Sequence, residues 1–139
     1  MAKVLLVEDD LPTVELIKFA LQSEGFEVVA VYDGITALRT VEKEKPDLIL
    51  LDVMIPGVDG FEVCQLIKHN IKLMHIPVLM VTAKVRKEDR ALGLEKGADD
   101  YITKPFDPID LVNRVKKFIT EKQQNKNNNN KGASSPKGS

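Results

Sequence analysis

Three acidic side chains in this sequence stand at places where packing does not ask for them. Glu8 and Asp9 follow the apolar run Val4-Leu5-Leu6-Val7, with Asp10 next, and Asp52 follows the run Leu48-Ile49-Leu50-Leu51. A hydroxyl, Thr82, ends the run Pro77-Val78-Leu79-Met80-Val81. An ammonium, Lys104, lies just past the weaker run Asp100-Tyr101-Ile102, with Pro105 behind it. Close carboxylates repel one another, and a hard divalent cation with oxygen ligands, Mg²⁺ above all inside a cell, resolves that repulsion. A carboxylate beside such an ion, a hydroxyl and an ammonium can together handle a transferring phosphoryl group. The cations neutralise its oxygens and the hydroxyl tracks one of them. Asp52 is then the nucleophile, forming an acyl phosphate. Taken singly, each residue has a plainer role: Asp10 reads as a helix N-cap, Thr82 as a strand-end hydroxyl and Lys104 as a surface lysine. Only their joint placement carries the chemistry.

That placement depends on the elements that precede each residue. The runs named above, with Val28-Val29-Ala30-Val31, make five short apolar segments. Their apolarity is continuous rather than alternating, as in strands buried on both faces of a parallel sheet. Between them the period is helical. Val14, Ile17 and Leu21, then Ala37, Leu38 and Val41, then Phe61, Cys64 and Ile67, and lastly Leu111, Val115 and Phe118 recur at helical spacing. Ala91, Leu94 and Glu95 mark a weaker helix. Asp10 before Pro12, Asp33-Gly34, Asp59-Gly60 and Asp107-Pro108 predict helix starts, and Gly25, Lys45-Pro46 and Gly97 predict ends. Alternation of this kind gives an α/β three-layer sandwich of five strands and five helices. In an open parallel sheet, ligands sit beyond the carboxyl ends of the strands, where strand order reverses. If right-handed crossovers set the first and third strands side by side, Glu8, Asp9 and Asp52 converge there.

Composition narrows the function classes. Across residues 1–121 there are 16 basic and 21 acidic side chains, a net of −5, whereas residues 122–139 carry four lysines and no acid. A body that acidic does not offer the cationic face that phosphate backbones require, so nucleic acid is excluded as its direct partner. No apolar run is long enough to cross a bilayer, and Met1-Ala2-Lys3 leads into a strand-like segment rather than a signal peptide, so a membrane is excluded and a cytoplasmic location expected. A single cysteine, Cys64, forms no intrachain disulfide and falls on the apolar face of its helix with Phe61 and Ile67. His69 and His75 lack Cys or Asp partners at ligand spacing and read as surface residues. From Lys122 onward the Gln-, Asn-, Lys- and Ser-rich composition predicts a disordered polar tail or linker, which bounds the folded domain at residues 1–121.

The segments Val4 to Asp10, Leu50 to Gly60, Val81-Thr82-Ala83 and Gly97 to Phe106 together resemble the receiver domain of two-component response regulators, over residues 3 to about 120. The resemblance implies a flavodoxin-like fold, doubly wound, with sheet order 2-1-3-4-5. It implies that Asp52 accepts a phosphoryl group from a histidine kinase or phosphotransfer protein, with Mg²⁺ required. Carried over by position, Asp9 and Asp52 bind the metal directly, Glu8 through water, and the backbone carbonyl of Met54 is a further ligand. Thr82 and Tyr101 match the switch pair: on phosphorylation the hydroxyl moves to the phosphoryl group and the ring turns inward. Lys104 matches the lysine of the pattern, and Lys104-Pro105 is the X-Pro bond expected in cis. Partners are expected on the surface built by the fourth helix, fifth strand and fifth helix, around Lys87, Asp89, Arg90, Glu95, Tyr101, Asp110 and Arg114. A phosphorylation-dependent homodimer is one use of that surface. The domain is then a signalling module and an enzyme only toward its own acceptor.

Other readings fit less well. An aspartyl-nucleophile phosphatase of the haloacid-dehalogenase type needs a second carboxylate two residues after the acceptor, and that position is Met54. A flavodoxin needs a hydroxyl-rich phosphate loop after the first strand, where this chain has three acids. A receiver-like interaction module without phosphorylation would not need the complete acidic, hydroxyl and lysine set.

Overall fold

The computed structural model describes the backbone of residues 1–132 and the side chains of residues 1–122. Strands and helices alternate as β1 (Lys3–Val7), α1 (Leu11–Gln22), β2 (Glu27–Val31), α2 (Gly34–Glu44), β3 (Leu48–Leu51), α3 (Gly60–Lys68), β4 (Val78–Thr82), α4 (Lys87–Glu95), β5 (Asp100–Thr103) and α5 (Pro108–Gly132). The five strands form one parallel sheet in the order β2-β1-β3-β4-β5. The expected flavodoxin-like α/β fold is therefore present, with its order reversal between β1 and β3.

The continuous apolar runs are explained by burial on both sides. In β3, Leu48 and Leu50 pack with Val14, Ile17 and Leu21 of α1 and Leu111, Val115 and Ile119 of α5. Ile49 and Leu51 face the other way, onto Ala37 and Val41 of α2 and Val63, Cys64 and Ile67 of α3. Successive residues point to opposite faces, so a strand between two helical layers has no polar side to spare. Each of the four helices that follow an acid at the predicted start has an N–H bonded to that acid: Asp10 accepts from the Thr13 N–H, Asp33 from Thr36, Asp59 from Glu62 and Asp107 from Ile109. α4, the helix with the weakest pattern, has Arg86 at its N-cap position, with no side-chain cap. Lys104-Pro105 is cis.

The backbone departs from expectation beyond Glu121. α5 continues through Gly132, eleven residues further than the predicted boundary at Glu121. Leu111, Val115 and Ile119 pin the first turns to the sheet, and a helix once nucleated gains a further residue without repeating the nucleation cost. The stretch Glu121 to Lys131 contains neither Pro nor Gly to stop it. The remainder of the expected tail, residues 133–139, lies outside the described residues. Among the described residues no helix is long and apolar enough to cross a membrane.

One close approach fixes the loop after β3. Gly60, the first residue of α3, donates its N–H to the Val53 carbonyl at 2.9 Å. A Cβ on Gly60 would stand 2.6 Å from Val53 Cα and closer still to the Asp52 carbonyl oxygen, which is backbone and cannot swing aside. Gly60→Ala is expected to lower unfolding free energy by about 1–3 kcal/mol, measured as a shift in urea midpoint at unchanged slope. Cys64 gives a second expectation. Its thiol is buried and its Sγ lies 3.6 Å from the Lys96 carbonyl; burial pushes its pKa up to about 11. The native protein should therefore resist iodoacetamide at pH 8 and react fully once unfolded in urea, as read by intact mass.

Candidate functional site

The sheet order does the work of assembly. Because β1 lies beside β3 with Val7 opposite Leu51, the residues that follow each strand emerge side by side. Backbone pairing continues one step past the strands: the Asp52 N–H donates to the Val7 carbonyl at 3.0 Å. On the other flank the Glu8 N–H donates to the Val31 carbonyl, also at 3.0 Å. Glu8, Asp9 and Asp52 thus offer carboxylate oxygens that all lie within 4.8 Å of one another. Glu8 and Asp52 are buried and Asp9 is exposed.

Two buried carboxylates this close cost about 3 kcal/mol of repulsion at an effective dielectric constant near 20. Lys104 relieves it. The Lys104 N–H pairs with the Thr82 carbonyl at 2.9 Å, extending the β4–β5 ladder, and the side chain reaches back over the end of β4. Its Nζ lies 2.6 Å from Glu8 Oε1 and 3.0 Å from Asp52 Oδ2. Burial opposes the charge on Lys104, but the hydrogen bonds to Glu8 and Asp52 outweigh it and raise the ammonium above its usual range. Glu8 is also raised, because burial outweighs the lowering influence of Lys104 and of the Asp10 N–H.

The remaining carboxylate oxygens are met by backbone donors. Asp52 Oδ1 accepts from the Met54 N–H at 3.0 Å and Glu8 Oε2 from the Asp10 N–H at 3.1 Å. Asp10 accordingly has two jobs, capping α1 and tethering Glu8. Every donor in the acidic group is a hard carboxylate oxygen, the set that suits Mg²⁺ or Ca²⁺. Both oxygens of Glu8 already have protein partners, whereas Asp9 faces solvent.

Thr82 and Tyr101 meet through a single residue. Thr82 is fully buried, and its Oγ1 accepts from the Lys84 N–H at 3.3 Å. The carbonyl of the same Lys84 accepts from the Tyr101 hydroxyl at 2.7 Å. The Tyr101 ring lies inside, 1% exposed, and burial raises its phenol. Two residues expected on an outer partner face are therefore not surface groups. Tyr101 lies beneath α4, and Asp89 is folded in and paired with Arg86 at 3.4 Å. Lys87, Arg90, Glu95 and Asp110 are exposed, and Arg114 is half-buried between Asp100 and Asp110. The sequence singled out every side chain of the acidic group and Lys104. It gave no sign of the Met54, Asp10 and Lys84 backbone contacts, because a peptide group has no residue type to read.

Known proteins share this fold. The sequence pattern of the family described as response regulator receiver domain matches residues 4–116. A CheY-like response regulator receiver domain protein from Methanospirillum hungatei superposes with a TM-score of 0.83 at 29% identity, covering 89% of this chain and 98% of that one. The BeF3-activated N-terminal receiver domain of RstA from Klebsiella pneumoniae gives 0.79 at 34% identity, covering 84% and 97%. The receiver domain of sensor histidine kinase PA1611 from Pseudomonas aeruginosa, solved with magnesium coordinated in its active site cleft, gives 0.80 at 33% identity, covering 86% and 98%. With the sheet order, the acidic group and the bridging lysine all in place, this chain belongs to the response regulator receiver family of two-component systems.

Proposed function

We propose that Asp52 is the phosphoacceptor of a signalling switch. A carboxylate oxygen of Asp52 attacks the phosphorus of a phosphohistidine on a sensor histidine kinase or phosphotransfer protein. The P–N bond breaks as the acyl phosphate O–P bond forms, and the released imidazole nitrogen takes up a proton. The observation that carries this reading is the Lys104 ammonium bridging Glu8 and Asp52 at 2.6 and 3.0 Å in a pocket that Asp9 also enters. Lys104 is placed to neutralise an oxygen of the incoming group, and the Thr82 hydroxyl to donate to another. Asp9, Asp52 and the Met54 carbonyl would hold Mg²⁺ directly, and Glu8, with both oxygens engaged, would hold it through water. When bound, the ion supplies the positive charge that the three carboxylates and a phosphoryl group together require.

In this reading the chain catalyses only its own phosphorylation and slow dephosphorylation. It works in the cytoplasm, where ATP-fed kinases supply phosphohistidine. A downstream protein, or a second phosphorylated copy, reads the exposed side of α4, β5 and α5. Phosphatase chemistry of the haloacid-dehalogenase type lacks its general acid, since Met54 stands at that position.

Incubation with acetyl phosphate and Mg²⁺ should add the mass of one phosphoryl group to wild type and none to Asp52→Ala. An adduct that survives in Asp52→Ala, or none in wild type, overturns the reading. Lys104→Ala should cost about 2 kcal/mol of stability near pH 7, less than a fully buried pair because the lysine is partly exposed. The pH dependence has a definite sign. The folded chain holds the Glu8 proton more tightly than the unfolded chain, and removing Lys104 removes a lowering influence on it. The deficit should therefore shrink as pH falls toward the carboxylate range and grow as it rises, as followed by urea denaturation across pH.

A further inference from the structure

We infer that Arg90, on the exposed side of α4, is the positioning residue that holds the Tyr101 ring inside the molecule, and that Gly93 provides the space the ring occupies. Three restraints converge on this ring. Its hydroxyl donates to the Lys84 carbonyl at 2.7 Å. The Arg90 guanidinium carbon lies 5.5 Å from the ring centroid, and Nη2 donates to the Tyr101 carbonyl at 3.3 Å. One arginine thus stacks on the ring and grips the backbone that carries it, a double contact that a planar fork allows and a lysine ammonium does not. Three residues on, on the same face of α4, a Cβ at Gly93 would stand 3.0 Å from Met80 Sδ and from two carbons of the Tyr101 ring. A side chain there would crowd the ring, and either the ring or Met80 would have to give by a few tenths of an ångström.

None of these restraints uses an atom of Asp52, Glu8 or Lys104. The place of the ring is set by α4, with its own contribution to the equilibrium between inward and outward positions. A cation stacked on a ring at a site of this exposure shifts such an equilibrium by about two- to fivefold. The consequence for the acceptor site runs through Lys84, whose carbonyl meets the Tyr101 hydroxyl while its N–H meets Thr82 Oγ1. A ring that leaves loosens the residue that orients the Thr82 hydroxyl. That consequence rests on the phosphoacceptor reading; the position of the ring does not.

The sequence supplies a clean reporter. The chain has no tryptophan and two tyrosines, Tyr32 and Tyr101, so Tyr32→Phe leaves Tyr101 as the one tyrosine fluorophore. Acrylamide quenching of that protein should be weak, and Arg90→Ala in the same background should raise the Stern–Volmer constant about two- to fivefold at unchanged far-UV circular dichroism. Arg90→Lys, which keeps the charge without the fork, should fall nearer to Arg90→Ala than to Arg90. Gly93→Ala should raise quenching by a separate route, and unchanged quenching there would strike the glycine from the proposal. Quenching unchanged in Arg90→Ala, or raised only with loss of helical signal, overturns the role of Arg90. Intact masses of the same samples after acetyl phosphate and Mg²⁺ keep the two claims apart. Failure of every variant to gain a phosphoryl group defeats the phosphoacceptor reading and leaves the quenching contrast standing.

Discussion

Carboxylates cannot be buried side by side unless something holds them there and something else neutralises them. In this chain the holding is done by the β1–β3 pairing, which carries on past the strands to the Asp52 N–H and the Val7 carbonyl. The neutralising is done by Lys104, delivered from the far side of β4. Both depend on the order of the sheet. Had β3 paired anywhere but against β1, Glu8 and Asp52 would not meet, and had β5 joined the other edge, Lys104 could not span them. The apolar runs, whose burial between two helical layers drives folding, are in this sense a frame whose dimensions are set by one ammonium and two carboxylates.

A great deal of that frame could be read from residue types. Runs such as Leu48 to Leu51 are apolar at every position, which only a strand covered on both faces requires, and acids at Asp10, Asp33 and Asp59 mark helix starts because a carboxylate is the natural partner of an unpaired N–H. The site side chains were legible for a related reason: a carboxylate, hydroxyl or ammonium directly after a buried strand has no packing role to explain it. What could not be read was whatever depends on the backbone or on crowding. Lys84 looks like any exposed lysine, yet its two peptide groups join Thr82 to Tyr101. Asp89 has the composition of a solvated helix residue, yet it is buried, with the exposed Arg86 as its ion-pair partner. Tyr101 gives no hint of its depth, nor of the close approach of its ring to Gly93 eight residues earlier.

The length of α5 shows a different limit. Composition measures whether a segment can bury itself, and residues after Glu121 plainly cannot. Whether a segment is helical is a separate question when it grows from a helix already fastened to the sheet, since the nucleus has been made by Leu111, Val115 and Ile119. Low hydrophobicity and regular backbone are compatible wherever a packed helix supplies the start.

That extension alters the mechanics of the domain. Among the described side chains, Ile119 is the last of α5 in the core, and the helix backbone runs on to Gly132, a further length of about 20 Å at 1.5 Å per residue. A rod anchored along one part of its length and extended beyond it is a lever with its fulcrum at the packed turns. A tilt of a few degrees, too small to disturb the contacts of Leu111 or Val115, moves the far end by an ångström or more. Displacements that would be lost inside the close-packed sandwich thus become measurable at its edge.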